Sequence, residues 1–334
     1  MQGPGRAGMA TVCLVERNEI ARRGIGISPI GASIVGPAGD SIDDVFQQWI
    51  IVSSLKQIRT PSTVPDTATS TLEIEFRGVS KRFAPRGRAG AEPAPWAVQR
   101  VNVQVRRGEV VSLIGPSGCG KSTLLNMGAG LYLPTEGEVF VGGQRVTKPM
   151  RQVAFMLQKD LLMPWRTIRA NVELGMEIAG RPAAERRRIA DALLARCHLQ
   201  GFGDHYPYQL SGGMRQRAAL ARTLAIEPQV LLLDEPFSAL DAQTKMVLQQ
   251  DLAGMLAEQR KTALFITHDL VEAVALSDRL LVMSPRPGTI VDEIPIDLPH
   301  RDQPLLRRKL PEVGALVARL MDLLKVGAED ALTH

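Results

Sequence analysis

The stretch Val110-Val111-Ser112-Leu113-Ile114-Gly115-Pro116-Ser117-Gly118-Cys119-Gly120-Lys121-Ser122-Thr123-Leu124-Leu125 decides the fold class. Its first five residues are a short, nearly continuous apolar run, as expected of a strand buried on both faces of a parallel sheet. A glycine-rich G-x-x-x-x-G-K-[ST] loop follows, and a helical pattern begins at once with Thr123-Leu124-Leu125. Strand, loop and helix in that order form a phosphate cradle. The glycines let backbone N–H groups converge on phosphate oxygens, and the helix N-terminus adds partial positive charge. The expected nucleotide-binding residues are therefore Gly115, Pro116, Ser117, Gly118, Cys119, Gly120, Lys121, Ser122 and Thr123. Lys121 is placed to reach the β- and γ-phosphates and Ser122 to ligate Mg²⁺. A glycine-rich turn that binds nothing would not need Lys-Ser directly after a buried strand. Cys119 reads most simply as a small filler, but its neighbours favour the thiolate, so ATP is expected to protect it from thiol reagents.

Outward from this loop, Val153–Met156, Val230–Leu233, Leu264–Thr267 and Leu280–Met283 repeat the buried-strand pattern. Helical patterns at 121–130, 183–197, 212–226 and 244–258 alternate with them. That alternation predicts an α/β fold with a parallel sheet. Residues 158–226 are almost entirely helical in pattern and read as a helical insertion into the sheet. Leu72, Ile74 and Phe76 alternate as a half-buried strand. Before them, residues 60–71 are rich in Ser, Thr and Pro, a linker composition. The domain boundary is placed there, with an extension over 1–71, a nucleotide-binding domain over 72–325 and a short tail over 326–334. A weak apolar pattern over Ile42–Lys56 is the one helical signal in the extension. The composition of 1–71 favours a disordered segment over a docking element. Val313, Leu316, Val317, Leu320 and Leu324 predict a helix after Pro311.

The second chemical element is Val230-Leu231-Leu232-Leu233-Asp234-Glu235. Asp234 emerges at the carboxyl edge of its strand, where open α/β sheets bind ligands. There it is expected to hold Mg²⁺, with Glu235 next to it polarising an attacking water. Two acids at a strand end can also be a solvated loop start, and only the phosphate loop argues otherwise. The third element is Leu210-Ser211-Gly212-Gly213-Met214-Arg215-Gln216-Arg217. Ser211 reads as a helix N-cap. Two glycines at a helix start cost about 1 kcal/mol each relative to alanine, which suggests a phosphate approaching the backbone.

With these pieces the chain resembles the ATP-binding cassette family, whose signature LSGGQ stands directly before the acid-bearing strand. The departure is Met214 in place of Gln, which is similar to the nitrate, sulfonate and taurine importer branch. The resemblance implies a P-loop NTPase (RecA-like) mixed sheet core with an inserted helical subdomain. It implies that Gln158 senses Mg²⁺ and the attacking water, that His268 contacts the γ-phosphate and that Phe83 stacks on adenine. Taken singly, His268 would read as a strand-end histidine and Phe83 as a core residue. Ser211, Gly212, Gly213 and Asp241 are implied to meet the nucleotide of a partner subunit, so two copies close around two ATP molecules. Leu161-Leu162-Met163-Pro164-Trp165 is the candidate contact for a membrane permease subunit, with ordinary packing as the alternative. Catalytic roles thus fall on Glu235, His268 and Gln158, and Mg²⁺ ligation on Ser122, Gln158 and Asp234.

Composition narrows the classes. Lys+Arg 40 against Asp+Glu 35 gives a net charge of +5, with short basic clusters only, so no nucleic-acid partner is expected. Three cysteines (Cys13, Cys119, Cys197) do not make a disulfide framework and suit a reducing compartment. No apolar run approaches the ~18–20 residues that span a bilayer, and Met9–Val15 is too short for a signal peptide. The expected protein is a transport-coupled ATPase on the cytoplasmic face of the cell membrane, held there by integral permease subunits that a solute-binding protein serves. The alternatives are a soluble cassette ATPase not coupled to transport, which usually carries a second cassette or a long coiled coil, and another P-loop enzyme such as a kinase. Neither of those features is in the chain, and the kinase class leaves Leu210–Arg217 unexplained.

Overall fold

The computed structural model describes residues 72–83 and 95–329. The helical pattern at Ile42–Lys56, the rest of the extension and the last residues of the tail lie outside them.

A six-stranded sheet carries the site. Its strands are β3 (Val110–Ile114), β6 (Val153–Met156), β7 (Val230–Asp234), β8 (Thr262–Ile266), β9 (Arg279–Met283) and β10 (Ile290–Pro295), in the order β10-β9-β3-β8-β7-β6. All neighbours are parallel except β10, which pairs antiparallel with β9 at the edge. β3, β7 and β8 are buried at every position, which is why they read as unbroken apolar runs.

The helices are α1 (Lys121–Gly128), α2 (Ile168–Ile178), α3 (Ala183–Arg196), α4 (Gly212–Leu224), α5 (Ala242–Glu258), α6 (Leu270–Leu276), α7 (Pro304–Arg307) and α8 (Pro311–Glu329). No strand interrupts residues 157–229, so α2, α3 and α4 form the expected helical insertion. Ile168, Val172, Met176, Leu194 and Leu220 share one core with Leu231, Leu233 and Phe265 of the sheet. Val313 and Leu320 of α8 cover Leu280, Val282 and Ile294, the face their periodic stripe predicts. α8 continues to Glu329, past residue 325. The fully buried Arg307 ties this C-terminal part down, donating to the carbonyl oxygens of Ser277 (2.7 Å), Leu298 (2.9 Å) and Ile296 (3.2 Å).

A second sheet is antiparallel: β1 (Leu72–Lys81), β2 (Val98–Arg106), β4 (Glu136–Val141) and β5 (Gln144–Arg145), ordered β2-β1-β4-β5. Only β1 is legible from the periodicity considered above. The signal for β2 exists in Val101, Val103 and Val105, which point inward while Asn102 and Gln104 point out. Ile74, Phe76 and Val103 pack with Leu124, Leu125 and Met127 of α1 and with Val111 and Leu264. Helix α1 is therefore clamped between both sheets, and the loop that precedes it is held at both ends.

Candidate functional site

The phosphate loop runs from the end of β3 into α1. Gly120 adopts φ 105° at the N-cap, and a Cβ there would stand 2.3 Å from Val98 Cγ1. The turn thus needs glycine for both conformation and space. The Lys121 ammonium folds back over the loop, donating to the carbonyl oxygens of Gly115 (2.8 Å) and Pro116 (2.9 Å). Cys119 is 1 % exposed, with its Sγ 3.7 Å from Lys121 Nζ. The filler reading therefore holds, and the expectation that the thiol is open to reagents is corrected: the side chain packs into the core under the loop.

A cleft of ≈ 450 Å³ opens above this loop, lined by Ser117, Lys121, Ser122, Gln158, Glu235 and His268 among others. Asp234 ends β7 beneath it, only 4 % exposed. Burial pushes the Asp234 carboxyl above its ordinary pKa, while a hydrogen bond with Ser122 and the Lys121 charge work the other way. Glu235 follows with φ 49°, a left-handed conformation unusual for a non-glycine residue. Its carboxylate accepts from Gln158 Nε2 at 3.0 Å and lies 3.5 Å from His268 Nδ1. Residues from three strand ends, β6, β7 and β8, thus meet at one carboxylate.

The other sequence candidates lie elsewhere. Ser211, Gly212, Gly213 and Asp241 are not among the residues lining this cleft. Ser211 caps α4, accepting from Met214 N at 3.3 Å. Asp241 caps α5 in the same way through Thr244 N at 3.0 Å, and that bond holds its carboxyl below the usual range. A Cβ on Gly213 would come within 3.1 Å of Ala239 O and 3.2 Å of Leu240 Cδ2. One of the two signature glycines is therefore closely packed within the chain, where a side chain would press on the Ala239–Leu240 segment. Phe83 is also off the cleft's lining; its ring meets Tyr132 edge-on at 5.5 Å, with Lys81 Nζ 5.4 Å from its centroid. Trp165 is 52 % exposed, while Leu162 and Met163 beside it are buried.

Residues 98–238 match the family model described as ABC transporter. The ABC transporter ATP-binding protein MJ0412 of Methanocaldococcus jannaschii is 48% identical over 202 residues, 60% of this chain and 76% of that protein. The taurine import ATP-binding protein TauB of Yersinia pestis is 43% identical over 205 residues, 61% of this chain and 80% of its own length.

The chain belongs to the ABC transporter family. It is an ATP-binding ATPase subunit of that family, and its fold agrees. The dimeric post-hydrolysis structure of the cassette MJ0796 bound to ADP and Pi matches with a TM-score of 0.61 at 33% identity, covering 67% of this chain and 98% of that one. Among the described residues no helix is long and apolar enough to cross a membrane.

Two networks in this ABC subunit escaped the sequence reading. The first fastens the segment after Gln158 to α4. Arg215 pairs with Asp160 at 3.0 Å, and Arg222 donates to the carbonyl oxygens of Asp160 and Leu161, both at 2.7 Å. Burial lowers the Arg222 pKa to about 10, against the pull of Asp160. Arg215 and Arg222 stand two helical turns apart on one face, a spacing that carries the signal. The second joins α5 to the segment after His268. Lys245 bridges Asp269 (2.8 Å) and the buried Glu272 (2.6 Å), and Gln249 donates to Glu272 at 2.7 Å.

Proposed function

We propose that the chain is the ATP-hydrolysing subunit of an importer for small solutes of the nitrate, sulfonate or taurine type. The observation that carries the catalytic reading is the Glu235 carboxylate, held between Gln158 and His268 over the phosphate loop. A carboxylate so placed takes a proton from water attacking the γ-phosphate, Gln158 orients it, and His268 steadies the developing charge. Lys121 is already poised over the loop and needs only to exchange two carbonyl partners for phosphate oxygens. Ser122 and Asp234 offer hard oxygen donors, and the raised pKa of Asp234 is a cost that a cation offsets. That set fits Mg²⁺, which takes few protein ligands and completes its shell with phosphate and water, with Gln158 as a further donor. When bound, the ion neutralises phosphate charge. Phe83, at the end of β1, is proposed to stack on the adenine ring.

Ser211, Gly212, Gly213 and Asp241 stand outside the chain's own cleft, which supports their role toward the nucleotide of a second copy. The importer reading is supported by the taurine import relative and by exposed Trp165 just beyond Gln158, a surface suited to a permease segment. That docking would place the subunit on the cytoplasmic face of the membrane. The deciding experiment is Glu235→Gln. Turnover should fall by ~10²–10⁴, as on loss of a positioned base, while ATP binding persists. Turnover close to wild type would remove Glu235 from catalysis. For the importer assignment, purification from membranes should bring down a polytopic subunit, and a protein recovered without one would point to the uncoupled soluble ATPase.

A further inference from the structure

A second cleft, of ≈ 420 Å³, is nearly as large as the catalytic one and shares no residue with it. It lies where β7 and β8 begin, at the sheet edge opposite the phosphate loop. Ile189 and Leu193 of α3, with Leu231 and Met255, give it an apolar floor, and Arg188, Arg196 and Lys261 are its cations. These three make no ion pair among the described residues. Their neighbours do: Arg186 reaches Glu173, Arg187 reaches Asp191, and Glu227, the acid on the rim, is taken by Arg181. Lys261 is 9 % exposed, with its aliphatic stem buried, and its ammonium is not among the described buried polar atoms that lack a partner. Three cations without a paired carboxylate, set around an apolar floor, favour an anion that carries a hydrocarbon tail. The floor continues past Leu193 and Arg196 into a narrow apolar slot with Leu220, Leu248 and Leu252.

We propose that this cleft binds a small amphipathic anion, its carboxylate or similar head on Lys261 and Arg196 and its hydrocarbon tail along Leu193 and Met255. Its walls come from the helical insertion on one side and the sheet core with α5 on the other. An occupant therefore bridges the helical insertion and the sheet core. Calorimetry on the full chain tests this with octanoate as the probe, acetate as head alone and 1-octanol as tail alone. Octanoate should bind at a saturable site that ATP does not displace, and acetate and octanol should bind far more weakly. Lys261→Gln and the surface variant Arg196→Gln should each weaken octanoate about tenfold or more, as loss of a charge-assisted contact implies, with ATP affinity unchanged. No octanoate binding, equal binding of octanol, or binding unaltered in folded Arg196→Gln would overturn the site.

Discussion

At the scale of single residues, the phosphate loop concentrates the testable chemistry. Lys121→Ala removes an ammonium whose charge-assisted hydrogen bonds are worth roughly 1.5–3 kcal/mol each. ATP affinity, read by equilibrium binding, should fall accordingly, while the melting temperature stays close to wild type because Lys121 bonds only to its own loop. The buried cysteines make an opposite kind of prediction. Burial pushes the Cys197 thiol up to about 12, so little thiolate exists at neutral pH. Cys119 is shielded under the loop. Peptide mapping after brief alkylation of the folded protein should find neither labelled, with or without ATP, and both labelled in urea. Modification of Cys119 in the native state would show that the loop opens.

Between elements, the arrangement is one of struts. Lys245 on α5 holds Asp269 and Glu272, which follow His268, so the segment that begins at Asp241 and the segment that carries His268 move together. Lys245→Met leaves the Glu272 carboxylate, 2 % exposed, without its cation. Removing one partner of a buried pair costs about 3 kcal/mol or more, so the urea midpoint should drop clearly. Adding Glu272→Gln to that variant should restore much of the stability, since the stranded charge is then gone. Loss of no stability in the single variant would show that the bridge is solvent-weakened. The Asp160–Arg215 pair plays the corresponding part for Gln158, binding the segment after it to the helix that Ser211 caps. If Gln158 meets the γ-phosphate as proposed, this pair gives it a mechanical route into the helical insertion.

For the whole molecule, β1 has partners on both sides within the cassette, β2 on one and β4 on the other. The expectation for residues 1–71 follows from that closure. A chain beginning at Ser70 should be soluble and hydrolyse ATP within about twofold of the full chain, since the first cassette strand already has both its neighbours and a terminal segment of linker composition is dispensable. Aggregation, or loss of most of the activity, would make the extension part of the working domain.

Contiguous motifs were legible because their chemistry is local. Gly115–Ser122, Asp234-Glu235 and Ser211–Gly213 each need only a few bonded neighbours and the strand or helix beside them, and buried parallel strands announce themselves as apolar runs. β2 and β4 were missed although they are longer than the parallel strands, because polar positions facing water leave them no unbroken apolar run. Convergence lay further out of reach. Gln158 and Glu235 stand 77 residues apart, and their contact exists only after β6 and β7 pair in register. The same holds for Gly213, on which the distant Ala239 and Leu240 close, and for Cys119, whose burial depends on two sheets closing over α1. Residue identity and spacing determined which groups the protein owns. Packing over long sequence separation decided which of them meet, because burial and close approach are properties of the assembled core and not of any one segment.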